Sequence, residues 1–211
     1  IMKGFSRLLL AGAAVALLAA GCADPNITNT SRSAIEQMLL SSVVERSIGS
    51  VNVEEFKGKK VWMDYANLAT QVDKAYVQGF VELHFSQSGA IVLKDEKEAE
   101  VIVQVISGAL ATDSNKFMIG TPQLPIPLPN TDLSFAIPEI PLFKRIIRSG
   151  YGKFSLVMLE AKSRQPIRVV SDIIAKSEYV NWTILLLPFT SRDIDMAEAT
   201  GFTDMSYDIF D

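Results

Sequence analysis

The chain predicts an α/β (α+β) domain: a mixed central sheet of about five or six strands, two main helices and a long proline-rich apolar loop. Three observations predict it. Segments near 33–50 and 72–86 repeat apolar residues at helical spacing, segments such as 99–111 and 154–160 alternate at strand spacing, and six prolines crowd the stretch between Phe117 and Phe143.

Ahead of that domain, Lys3 and Arg7 give a basic start, Leu8 to Ala20 carry no charge, and Leu17-Leu18-Ala19-Ala20-Gly21 ends on Cys22, the only cysteine in 211 residues. A membrane-spanning helix needs about 20 apolar residues, so residues 1–21 read as a signal peptide. The stretch resembles the lipobox of bacterial lipoproteins, with Ala19 where a larger apolar residue is usual. The resemblance implies cleavage before Cys22, acylation of its thiol and new amino group, and, with Ala23 next, export to the periplasmic side of the outer membrane. An acylated Cys22 leaves no thiol for a disulfide, and the covalent lipid is the one non-protein group expected. Cleavage would remove Lys3 and Arg7 from the 20 basic residues, leaving 18 against 24 acidic ones, a formal charge of −6. That balance argues against nucleic acid, which needs a clustered basic face.

Residues 22–32 are polar and turn-rich and read as a short tether. Ser33-Ala34-Ile35-Glu36 has the form of a capping box and opens a helix to about Ser50. Ile35, Met38, Leu39 and Val43 form one apolar stripe and Leu40, Val44, Ile48 and Val51 another nearly opposite. Such a helix is sandwiched in its own core or lies against a neighbouring subunit. Lys57 to Lys60 make a turn, Val61 to Tyr65 a strand, and Val72 to Ser86 a second helix. Its wet stripe is Lys74, Gln78, Glu82 and Ser86; Val72, Tyr76, Phe80 and Leu83 line one apolar flank and Val77, Val81 and Phe85 the other. Ala90 to Lys94 is a short strand and Ala99 to Ala111 a longer one, apolar on both sides, which suits the middle of a sheet covered on both faces.

Composition then shifts. Residues 117–143 alternate proline with Leu, Ile and Phe, and proline cannot donate to a ladder, so an extended loop is expected in place of paired strands. Apolar loops of this length need a cover, and Leu124, Ile126, Leu128, Phe135, Ile137, Ile140 and Phe143 are the candidate interaction surface. The cover is the chain's own sheet, a neighbouring subunit or a membrane surface. Lys144, Arg145 and Arg148 form a small basic cluster. Gly150 to Gly152 restart the sheet, Phe154 to Glu160 and Ile167 to Lys176 form a hairpin, and Trp182 to Phe189 make a last strand or docking segment. A single domain over 33–190 is followed by an acidic tail, 191–211, expected to be loosely attached.

Signatures of nucleotide or zinc chemistry are missing: there is no Gly-x-Gly-x-x-Gly, no Walker-type loop and no His-Glu-x-x-His. His84, the only histidine, has no Gly-x-Ser-x-Gly serine and no second ligand, and the carboxylates Asp64 and Asp113 show no spacing that would pair them. The reading is non-enzymatic, with no catalytic or metal-binding residues. Ser33-Ala-Ile-Glu-Gln-Met-Leu-Leu-Ser-Ser, Lys60-Val-Trp-Met-Asp, Gly89-Ala-Ile-Val-Leu, Ala99-Glu-Val-Ile-Val and Ser107-Gly-Ala resemble an uncharacterised family of bacterial lipoproteins carrying a Pro-rich apolar loop. In element order alone, the chain is also similar to the α/β periplasmic domain of outer-membrane assembly lipoproteins, such as the curli export channel and the lipoprotein activators of penicillin-binding proteins. These readings imply a lipid-anchored binding or scaffold protein of the cell envelope, with a protein partner or its own copies. The alternative is a ring-forming component of an outer-membrane secretion or export channel.

Overall fold

Three long strands, of 21, 21 and 19 residues, dominate the architecture. A computed structural model describes residues 32–68, 73–127 and 134–194. The chain divides into two compact units, Ile1–Ser33 and Ala34–Asp211, and every element below belongs to the second. The predicted signal peptide, Cys22, the tether up to residue 31 and the tail beyond Ile194 lie outside the described residues.

In order, the elements are α1 (Ala34–Gly49), β1 (Lys60–Asp64), α2 (Lys74–Gln87), β2 (Ile91–Leu93), β3 (Val101–Thr121), β4 (Leu124–Pro127), β5 (Ser134–Ile137), β6 (Ile140–Glu160), β7 (Pro166–Ile184) and β8 (Leu187–Arg192). Six strands form one mixed sheet in the order β2-β1-β3-β6-β7-β8, while β4 and β5 pair separately as a ribbon. β1 runs parallel to both β2 and β3, and the pairings from β3 to β8 are antiparallel. This is the predicted mixed sheet with two helices.

Helix α1 begins directly after Ser33, where the capping box places its start, and is buried on both stripes: Leu39 and Val43 as well as Leu40, Val44 and Ile48. One stripe meets the sheet, because glycines on β6 let the helix backbone come close. A Cβ on Gly150 would stand 2.9 Å from the Leu39 carbonyl oxygen, and one on Gly152 would stand 2.3 Å from Val43 Cγ1. Ser177 on β7, fully buried, donates its hydroxyl to the same Leu39 oxygen at 2.8 Å. The other stripe joins the core with Val77, Val81 and Phe85 of α2, Val61 and Met63 of β1, Val101, Val103 and Val105 of β3, and Phe154, Leu156 and Met158 of β6. α1 is therefore a sandwiched core helix. Phe56 and Phe85 pack with ring centroids 5.9 Å apart, and each fully buried side chain of this size stabilises by about 1.5–3 kcal/mol.

Three expectations change. Only one apolar flank of α2 is buried; Tyr76 and Leu83 on the other stay exposed, with Tyr76 stacked on Phe80 and donating its hydroxyl to Glu45. Burial and that carboxylate push the Tyr76 hydroxyl well above its ordinary pKa. β3 is covered by helices on one face only. On the other face Ile102 is fully buried among its register neighbours Trp62 and Leu159, so apolar strand residues there shield one another. The acidic tail also starts tied down: Asp193 takes hydrogen bonds from Arg46 of α1 and from the Glu178 amide, and Ile194 is buried.

The largest correction concerns the loop predicted at 117–143. β3 continues to Thr121 and β6 starts at Ile140, with a continuous antiparallel ladder between them down to Thr121 opposite Ile140. Gly150 to Gly152 therefore lie inside β6 and do not restart the sheet. Proline is accommodated in three ways. Pro122 and Pro138 fall in the links flanking the ribbon, and Pro141 lies opposite Gly120 at a register shift, where the left-handed φ of 150° at Gly120 suits glycine. Pro125 and Pro127 are two residues apart, so their nitrogens face the same edge. In a two-stranded ribbon that edge can be the unpaired one.

Candidate functional site

Beyond the reach of α1, β3, β6, β7 and β8 run on together as a four-stranded extension. Residues opposite one another in register share a face. One row is Phe117, Arg145, Trp182 and Phe189; the next, further out, is Ile119, Phe143, Ile184 and Leu187; the one behind is Asn115, Ile147, Val180 and Ser191. These rows continue the odd positions of β6 and so face away from α1, which sits over Gly150 and Gly152. The intervening rows, on the helix side, are Met118, Lys144, Thr183 and Pro188, then Lys116, Ile146, Asn181 and Thr190. The extension is amphipathic, with an aromatic and aliphatic front and a largely polar back.

On the front, Phe117 and Phe143 meet edge to face at 6.1 Å and Phe143 and Trp182 at 5.8 Å, while the Arg145 guanidinium lies 4.4 Å over the Trp182 ring. Arg145 Nε is buried with no hydrogen-bond partner, so ring stacking is what the structure offers this part of the cation. On the back, Lys116 and Lys144 both bind Glu139, at 2.8 and 2.5 Å. Hydrogen bonds from Lys116 and then Lys144 hold the Glu139 carboxyl below the usual carboxylate range.

The front ends at a tight turn. Ile184 pairs with Leu187, and between them Leu185 and Leu186 take φ values of 48° and 72°. Two positive φ values in a two-residue hairpin loop mark a type I′ turn, a position that favours Asn-Gly. The leucines are 69% and 66% exposed, and the Leu185 amide donates to the Leu142 carbonyl of β6 at 2.9 Å. Phe117, Ile119, Ile140, Leu142 and Leu187 at the same end are exposed as well.

Of the predicted surface residues, Ile140 and Phe143 open β6 and stand at this end; Leu124 and Ile137 are paired across the ribbon, as are Ile126 and Phe135 in backbone register, and Leu128 lies outside the described residues. The reading from sequence missed Phe117, Ile119, Trp182 and the turn at 185–186. A signal was present: Ile184-Leu185-Leu186-Leu187 contains no turn residue where the chain must reverse.

Elsewhere the candidates are weaker. His84 Nε2 lies 2.7 Å from the Val51 carbonyl oxygen and its ring meets Phe85 edge on, a structural arrangement. Asp64 accepts from Gln104 and the Ala66 amide, and Asp113, nine positions further along β3 than Gln104, stands about 30 Å away at the usual strand rise. A groove of about 170 Å³ beside Asp113, Ser149, Tyr151, Lys176 and Glu178 is lined by groups already paired, Lys176 with Glu178 at 2.6 Å. Another of about 430 Å³ is walled by Asp95, Glu96, Lys97 and Lys162. Among the described residues no three His, Cys, Asp or Glu side chains gather as for a metal, and no helix is long and apolar enough to cross a membrane.

The family described as "Family of unknown function (DUF6655)" matches residues 14–198. No curated protein matches the chain. A crystal structure described as a neuraminyllactose-binding hemagglutinin homolog from Helicobacter pylori is 15% identical and aligns over 61% of this chain and 72% of that one, with a TM-score of 0.24; a likeness that low carries no argument.

Proposed function

We propose that this chain, which belongs to the Family of unknown function (DUF6655), is a lipid-anchored binding or scaffold protein of the cell envelope, held through Cys22 on the periplasmic face of the outer membrane. It works by contact and not by catalysis. The observation that supports this best is the sheet extension with its exposed Phe117, Ile119, Ile140 and Leu142, an apolar area left uncovered among the described residues. The ribbon, with Leu124 and Ile137, adjoins Ile140 in the chain and offers a protein partner extended backbone together with apolar side chains.

Metabolic labelling with palmitate tests the anchor: label is expected on the wild type and absent from Cys22→Ser, and label persisting in the variant would overturn it. Crosslinking in whole cells tests the contact, since replacement of 122–138 by a short Gly-Ser linker should remove the crosslinked partner while leaving the melting temperature near that of the wild type. A fall in melting temperature with the crosslink intact would make the segment a cover only. A second reading, a ring-forming export component, draws support from β8, an edge strand whose outer side can pair with another copy. Native mass spectrometry of detergent-extracted protein separates the two, because a closed oligomer is required by the ring and a monomer excludes it.

A further inference from the structure

We propose that the Leu185-Leu186 turn and the apolar front behind it insert into one leaflet of a lipid bilayer, with Trp182 and Arg145 at the headgroup level. The proposal rests on the envelope reading only for the presence of a membrane and does not need the lipid on Cys22.

Backbone conformation is the first argument. Both turn residues sit at positive φ, a region leucine rarely adopts and Asn-Gly adopts readily. Burial among the described residues does not repay leucine there, since both side chains are about two-thirds exposed. The chain thus places two of the three most exposed large apolar side chains among the described residues at the outermost point of a hairpin, against local preference. The surroundings extend the pattern. Ile184 and Leu187 flank the turn, Leu142 supplies the carbonyl that holds it, and Ile119 and Phe143 complete the row of Ile184 and Leu187.

Behind the apolar tip comes the chemistry of a bilayer interface. Trp182 is three residues from Leu185, about 10 Å along a strand, which matches the depth at which an interfacial element meets the boundary between headgroups and acyl chains. Aromatic rings and cations with long apolar stems favour that level, and here Phe117, Phe143, Trp182 and Arg145 form one stacked group. Charge agrees: residues 114–148 contain four basic side chains, Lys116, Lys144, Arg145 and Arg148, against Asp132 and Glu139, in a chain of formal charge −4. An otherwise acidic protein is locally basic where it would approach anionic headgroups. The polar back, with Asn181, Thr183 and Thr190, faces water when the front lies in lipid, and the net-positive Lys116–Glu139–Lys144 cluster sits at headgroup level. A second copy of the chain is the competing occupant: the tip would need an apolar socket, and the two grooves described above are walled mainly by charged and polar groups.

The test uses Trp182 as the probe. The protein has two tryptophans, so Trp62→Phe isolates Trp182 in the full chain. Vesicles of phosphatidylethanolamine and phosphatidylglycerol, brominated near the headgroup end of the acyl chains, should quench its emission roughly two-fold, as contact at the boundary requires. Leu185→Asn with Leu186→Gly, residues the turn favours, should fold as the wild type does by circular dichroism and lose the quenching; Leu185→Asp should lose it too. Unquenched Trp182 in vesicle-bound protein, or equal quenching of the Asn-Gly variant, overturns the proposal. A dimer crosslinked through the turn, with Trp182 shielded from brominated lipid, overturns it in favour of a second copy. Cys22→Ser keeps the two readings apart: failure of the anchor leaves the quenching, and failure of the tip leaves the palmitate label.

Discussion

Adding a methyl group at Gly152 should lift α1 off the sheet, and removing part of Val43 should let it settle back. A Cβ on Gly152 would lie 2.3 Å from Val43 Cγ1, far inside van der Waals contact, with a Phe154 ring carbon at 3.1 Å and Leu110 at 3.8 Å as the next neighbours. Gly152→Ala therefore overpacks a buried helix contact and should cost about 1–3 kcal/mol. Val43 is fully buried, and Val43→Ala removes two methyls, about 1.6 kcal/mol of transfer energy plus a cavity contribution, so about 2–3 kcal/mol in all. In the double variant the new methyl occupies space the valine has vacated. Its Cβ would then meet only the Phe154 ring edge inside ordinary contact, and the pair should cost about 1–2 kcal/mol less than the sum of the single changes. Urea unfolding of the four proteins, followed by circular dichroism, measures the cycle at constant m-value. Additivity within about 0.5 kcal/mol would refute the claim that this contact sets the helix-to-sheet distance.

Ser177→Ala should lower stability by about 1 kcal/mol, because it removes the buried hydroxyl that donates to the Leu39 carbonyl; a melting temperature about 2–4 °C lower is the readout, and no change would mean the bond is idle. Glu139 predicts an acid dependence of known sign. Its folded-state pKa is held below the ordinary carboxylate value by hydrogen bonds from Lys116 and Lys144, so the unfolded chain binds the proton more readily. The stabilisation is complete above the unfolded value and is lost as pH falls through the folded one, so the stability gap between wild type and Glu139→Gln should be open at neutral pH and should close as pH falls below the ordinary carboxylate range. Added salt should narrow the gap at neutral pH, since Lys116 is half exposed.

Much of the fold was legible because periodicity is a local property. The stripes Leu39–Val43 and Leu40–Val44–Ile48 announced a helix buried on two sides, and the alternating valines of 101–105 a central strand, since each pattern follows from 3.6 or two residues per repeat. The site was half legible. Ile140 and Phe143 were found by their apolarity in a proline-rich run, but the run was read as unpaired because a proline count says nothing about which edge each nitrogen faces. Tyr76 and Leu83 misled for a related reason: an apolar flank in a helix shows what could be buried and not whether a partner is there to bury it.

What the sequence by itself determined is the order and type of the elements from α1 to the start of β3, the faces most of them turn inward and the position of the apolar segment, all consequences of side-chain spacing along one strand or helix. Only the tertiary structure decided how far the ladder between β3 and β6 continues, that Trp182 meets Arg145 and Phe143, and that the chain reverses on Leu185 and Leu186 in a left-handed turn. The physical reason is that register is non-local. It is set by the sum of cross-strand contacts over twenty-odd paired positions, and that sum can hold two leucines in a conformation their own preferences disfavour.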